Sequence, residues 1–403
     1  MGPIALFDKS FLQSLNIDQS VWFNHFYLCN ICPLFYNETL SDLEKEMKNG
    51  RTPEEVVGNI ADKFPESGSP NVFHEKACLS SLFGNPVPMY GQILVPNAAP
   101  AKKDDKTGLV IKPSSEIEAL SRWQSRDFLE VERISAREWR INVSNIDLCS
   151  LTDYLMYFPF NYKDINSPKE ALGLVEDFIK DPKYIMSHFY LSYKLSNIPT
   201  IYHHRILSNW QFNGMKPFTQ YAPYAAYILT IDLVFIISLF RGFVSDQRPS
   251  NSTDIDYLKY IPFSHVFVSH DRLHRMLAPL FLRDDQVFIW GSDLKDDLKN
   301  LNEYYITLPE DVRKKGLDYF ASSPPNDDNY ITTRLWKRYL NSNLIKDGQT
   351  FNEPKHNPKM ARDISNYDVV ESSEEKMDPD FILIERKVSK KKGSWQVLPE
   401  DIK

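Results

Sequence analysis

The sequence predicts an α/β fold: a central parallel sheet accompanied by many helices. Two apolar runs carry this prediction. Residues 4–7 (IALF) are short, wholly apolar and stop on Asp8. Within residues 255–274 (IDYLKYIPFSHVFVSHDRLH) a short helix meets a stop at Pro262, and a second buried strand then ends at Asp271. Uninterrupted apolar strands of this kind belong to sheets covered on both faces. The third observation is what lies between them: aromatic-rich helical runs separated by polar breaks.

At 403 residues, 42% apolar and 25% charged, the chain has average globular usage and can bury a sizeable core. A net charge of −7 excludes a chain that is basic throughout, so nucleic-acid binding has to use a local basic patch. Four cysteines are too few for a disulfide framework. Cys29 and Cys32 lead into an apolar run with no second pair to complete a zinc site, so they read as packing. That usage fits the reducing cytosol, and a cytoplasmic location is expected. The N-terminus lacks the basic region of a signal peptide and the Ser or Thr that a myristoylation motif needs at its sixth position. Residues 225–243 are long and apolar enough to span a bilayer, but Asp232 at their centre would be costly there. A buried core helix has the same composition, and no membrane association is expected.

In chain order, residues 4–7 form the first strand, 11–15 and 21–27 read as helical, and 31–36 (ICPLFY) as the second strand. Residues 37–50 form a helix with Leu40, Leu43 and Met47 on one face, Glu38, Asp42 and Glu46 on the other, and Gly50 as the stop. Thr52 caps a helix over 52–64, with Pro53 in the first turn and Glu55 closing a capping box. Residues 97–107 read as an exposed loop. A long helical pattern covers 114–142, where Arg122, Arg126, Arg133, Arg137 and Arg140 fall within about 60° on a continuous wheel. Such a stripe is either an ion-paired surface or a face that tracks phosphates. Short packed helices fill 151–210; the adjacent His203 and His204 point apart and read as structural. The apolar helix spans 221–244. A helix at 272–280, a strand at 286–290, a helix at 294–305 and a last helix at 332–343 follow. From about 346 the chain turns polar, first mixed, then acidic around 371–380 and basic over 386–393, and most of it reads as poorly ordered or dependent on a partner.

Parallel α/β sheets place ligands beyond the carboxyl ends of their strands. Asp8 and Asp271 occupy such ends, Glu38 opens the helix after the second strand, and Asp254 and Asp256 precede the strand that stops at Asp271. In one sheet these acids converge. Clustered carboxylates repel and call for a divalent cation, which suits phosphodiester hydrolysis by activating water and stabilising charge on the reacting oxygens. No nucleophilic Ser or Cys motif and no glycine-rich phosphate loop competes. His270 and His274 have the spacing of a helical zinc pair, but oxygen-rich surroundings favour a hard cation.

The combination resembles the PIN-domain nucleases. In that family the first strand ends in Asp, as in IALFD here, and a Glu opens a later helix with an Asp one turn on, as in ETLSDL. A further Asp precedes a helix and a strand, and that strand ends in Ser/Thr-x-Asp, as in VFVSHD with Ser269 and Asp271. The resemblance implies a PIN-like core of three layers around the parallel sheet over 1–65 and 218–310, a large, mostly helical insertion over 66–217, a helical extension over 311–345 and a polar tail over 346–403. It implies that Asp8, Glu38, Asp254 and Asp271 are catalytic and bind Mg²⁺ or Mn²⁺. Asp42 or Asp256 would be auxiliary, and Ser269 would orient the site. Asp254 is preferred over Asp256 because it sits at the loop-to-helix junction. The implied activity is endoribonuclease, with RNA favoured over DNA, a toxin or defence setting, and a protein partner reached through the insertion or the tail. The arginine stripe would be the nucleic-acid face. The competing expectation is a catalytically inactive PIN-like scaffold.

Overall fold

The computed structural model describes residues 2–41, 43, 50–65, 69–96, 98–103, 106–111, 115–340 and 391–398. The chain is a mixed α/β protein with a five-stranded parallel sheet. Its strands are β1 (Ile4–Phe7), β2 (Leu28–Ile31), β3 (Ser69–Pro70), β4 (Val266–Ser269) and β5 (Val287–Trp290), in the spatial order β3-β2-β1-β4-β5. β1 is central, pairing Leu6 with Asn30 of β2 and Phe7 with Val268 of β4. Successive side chains alternate between two cores. Leu6 and Phe267 face one, while Ala5, Phe7, Val266 and Val268 face the other. Both sheet faces are therefore covered, which is why these strands read as unbroken apolar runs.

Six helices frame the site: α1 (Lys9–Ser14), α2 (Leu34–Ser41), α3 (Pro223–Phe240), α4 (Asn251–Leu258), α5 (Arg272–Phe281) and α6 (Gly291–Ile306). The first core forms around α3, against which the helices His74–Leu82, Pro168–Lys180 and Ile185–Leu195 pack. α3 is the one helix among the described residues long and apolar enough to cross a membrane, and 78% of it is buried inside the chain. The second core centres on Trp22, stacked 4.5 Å from Tyr305 of α6. Residues of the expected insertion lie on both sides of the sheet: Val175 and Phe189 join the first core, and Leu120 and Trp123 the second.

Several expectations change. The run at 31–36 is not a strand; β2 ends at Ile31 and α2 starts at Leu34, with Leu34 buried in the first core and Phe35 in the second. Past Ser41 that predicted helix lies largely outside the described residues, and Asp42 with it. The capping box of Thr52 and Glu55 is present. The loop expected at 97–107 contains two antiparallel strands, Ala98–Lys103 and Lys106–Ile111. The single helix expected at 114–142 is two, Ser115–Gln124 and Glu130–Ser144, broken where Arg126 takes a φ of 60°. Residues 391–398 of the tail are docked: Trp395 is fully buried, 4.7 Å from Trp22, and donates from Nε1 to Asn302 Oδ1 at 2.8 Å. A lone tryptophan in a polar stretch carries no periodicity, so the sequence could not announce this anchor.

Candidate active site

Asp8 is the first residue past β1 and the N-cap of α1. Its Oδ1 accepts from the Phe11 amide at 2.9 Å, and its Oδ2 from the hydroxyls of Ser10 and Ser269, both at 2.7 Å. Ser269 is the last residue of β4 and is fully buried. Its oxygen also receives the Asp271 amide at 2.8 Å and lies 2.7 Å from His274 Nδ1. Asp271 caps α5, its Oδ1 accepting from the Leu273 amide at 2.6 Å. The strand-end motif thus closes on itself: one serine hydroxyl joins both strand-end aspartates.

With Asp8 ionised, the donor count sets the charge of His274. Ser269 has one hydroxyl hydrogen, and the ionised Asp8 carboxylate, which has no hydrogen to give, receives it. His274 Nδ1 must then donate to Ser269. Its Nε2 lies 2.6 Å from the Asp254 carbonyl, which only accepts, so Nε2 must donate as well. His274 is therefore an imidazolium, fully buried, with Nδ1 3.7 Å from Asp8 Oδ2. Burial opposes this charge, but the hydrogen bond and charge of Asp8, helped by Asp254, push its pKa up to about 9. Burial likewise works against Asp8, yet His274 and the Ser269 and Ser10 hydroxyls hold its carboxyl below the usual value.

Glu38 reaches the same place from α2, its Oε2 accepting from the Tyr257 hydroxyl of α4 at 2.7 Å. Asp254 lies one turn earlier on α4. Burial pushes its carboxyl up to about 7; His274 resists, while the negative charges of Asp271, Glu38 and Asp8 add to the rise. These acids from four distant segments meet in one electrostatic neighbourhood at the carboxyl edge of the sheet. Among the described residues, no three acidic, His or Cys side chains are spaced to hold one ion.

Asp256 goes elsewhere. Its Oδ1 pairs with Lys259 Nζ at 2.8 Å and lies 3.9 Å from His74 Nε2, so a buried lysine neutralises it away from the site. His270 also diverges from His274: its ring packs edge-on against Trp290 at 5.8 Å. The arginine stripe is largely consumed by ion pairs. Arg122 meets Glu132 at 2.6 Å, Arg126 meets Asp62 at 2.7 Å, and Arg133 meets Glu54 and Glu130. Arg137 and Arg140 lie on the second of the two helices, so the five share no single helical face. Sequence reasoning missed His274 as a buried cation and Tyr257 as the partner of Glu38. For Tyr257 a signal existed, since it follows Asp254 at i+3 on one helix.

The fold and the site define a class: a parallel α/β chain with an acidic cluster at the carboxyl ends of its central strands. Beyond that class, no family model, curated protein or solved structure matches the chain.

Proposed function

We propose that the chain is a metal-dependent nuclease of PIN-like architecture that hydrolyses phosphodiester bonds, with RNA as the substrate. Its main support is the meeting of Asp8, Glu38, Asp254 and Asp271, where burial, and then the charges of the other three acids, lift the Asp254 carboxyl to about 7. An acidic cluster with surplus negative charge suits a hard divalent cation, and its oxygen donors suit Mg²⁺ or Mn²⁺ better than a soft metal. When bound, the ion supplies an activated water and charge stabilisation at the scissile phosphate. The chain's own residues do the rest. Asp8, Glu38, Asp254 and Asp271 hold the ion, Ser269 fixes the rotamer of Asp8, and Tyr257 fixes that of Glu38. The preference for RNA and a toxin or defence setting rest on the family likeness alone.

The test is cleavage of single-stranded RNA with Mn²⁺. Asp8→Asn and Asp271→Asn should each abolish cutting while circular dichroism stays that of the wild type; variants that cut as well as the wild type sink the assignment. A second reading, an inert PIN-like scaffold, is favoured by one observation: His274 already gives Asp8 a cation. It expects no heat of Mn²⁺ binding by calorimetry.

A further inference from the structure

Outside the acidic site the chain buries a second set of charges, and it lies on the same helix. Lys259, one residue past α4, is 5% exposed at its side chain. Its Nζ stands 2.9 Å from Asp232 Oδ1 and 2.8 Å from Asp256 Oδ1. Asp232 sits in the middle of α3, the apolar helix at the centre of the first core. Two more links run between the same elements: the Tyr224 hydroxyl donates to the Lys259 carbonyl and the Tyr227 hydroxyl to the Leu258 carbonyl, each at 2.9 Å.

We propose that Lys259 is a positioning residue for the acidic site: its ammonium ties α4 to α3 and thereby aims Asp254 and Tyr257 at the sheet edge. The proposal rests on the metal-site reading for its consequence, and on geometry alone for the tie itself. Positions 254 and 256 are about 200° apart on a helix, whereas 254 and 257 are only about 60° apart. Holding Asp256 towards α3 turns Asp254 away from it, on the side where Tyr257 meets Glu38. Stability is a poor account of the arrangement. Asp232 Oδ2 is buried without a hydrogen-bond partner, and a buried ion pair generally adds little over apolar packing of the same volume. Burial works against the charge of Lys259, but the two carboxylates hold its pKa above the usual lysine value.

The test compares the wild type with the double variant Asp232→Leu/Lys259→Met, which replaces the pair with apolar groups and keeps the fold even if Lys259→Met alone does not. Two readouts are needed. In the metal-free protein, the His274 Nε2 proton, donated to the Asp254 carbonyl, gives a low-field NMR resonance that reports where Asp254 stands. The double variant should shift or broaden it. In calorimetry the variant should bind Mn²⁺ at least tenfold more weakly, and its RNA cleavage should lose kcat with KM little changed. A folded double variant that keeps the wild-type resonance overturns the proposal. A wild type that binds no Mn²⁺ overturns the nuclease reading instead and leaves the resonance test standing.

Discussion

Two residues apart on α4, Asp254 and Asp256 lead into two buried clusters of opposite character. Asp256 and Asp232 share Lys259, whose ammonium contacts both carboxylates within 3 Å. Asp254 shares its surroundings with Asp8, Glu38 and Asp271, and the His274 ring that faces them binds only the Asp254 carbonyl and the Ser269–Asp8 pair. In the first cluster one ammonium sits directly between two carboxylates. In the second the imidazolium meets Asp8 through the Ser269 hydroxyl, and Asp254 rises to about 7, chiefly by burial and further by the charges of Asp271, Glu38 and Asp8. What separates them is whether a cation stands within hydrogen-bond reach of the carboxylates themselves.

The largest expected effect follows directly. Lys259→Met leaves the Asp232 carboxylate buried, and that of Asp256 half-buried, without their partner and should destabilise the fold by about 3 kcal/mol. Asp254→Asn removes one of several repelling charges from the same helix and should leave stability unchanged or raise it. Urea denaturation of the two variants checks this, and equal losses would erase the distinction between the clusters. Next in size is the response to metal. At about a hundredfold its Kd, Mn²⁺ should stabilise the wild type by about 2.7 kcal/mol, reversed by a chelator. Asp254→Asn should lose most of that gain in a thermal melt, because the surplus charge that attracts the ion is smaller.

The difference between the clusters was only half legible in the sequence. A short apolar strand followed by Asp is a local signal, so Asp8, Ser269 and Asp271 could be found without neighbours. The capping box at Thr52 and Glu55 was legible for the same reason. Whether Asp254 or Asp256 faces the sheet depends on which side of α4 meets α3, and that is fixed by Asp232, far from either in sequence. The charge of His274 depends on three partners brought together only by folding. The arginine stripe misled because a wheel assumes one continuous helix, and the turn at Arg126 breaks it. β3 escaped notice because two residues, Ser69 and Pro70, carry no alternation to read.

The smallest effect separates the clusters by pH. A group whose pKa is raised on folding stabilises the fold below its unfolded value and loses that contribution as pH climbs through the folded one. His274 is raised from 6.5 to about 9, so its contribution is complete below 6.5 and gone above about 9. Asp254, raised from 3.8 to about 7, loses its contribution over the acidic half of that scale and finishes near neutrality. In the other cluster, burial lifts Asp232 to about 6 against the pull of Lys259, and Lys259 itself titrates far above neutrality. Burial holds His25, His74, His188 and His265 below the ordinary histidine value, so they add stability as pH climbs through 6.5 and oppose the loss at Asp254 there. At about pH 8 those groups are neutral in both states, and the slope is dominated by His274. Unfolding free energy measured in urea should fall with pH there in the wild type, and Asp254→Asn and Asp232→Leu/Lys259→Met should both leave that fall in place. A wild-type profile that is flat at about pH 8 would mean that His274 is neutral. Ser269 would then have to give its hydrogen to the ring, and Asp8 would need a proton of its own.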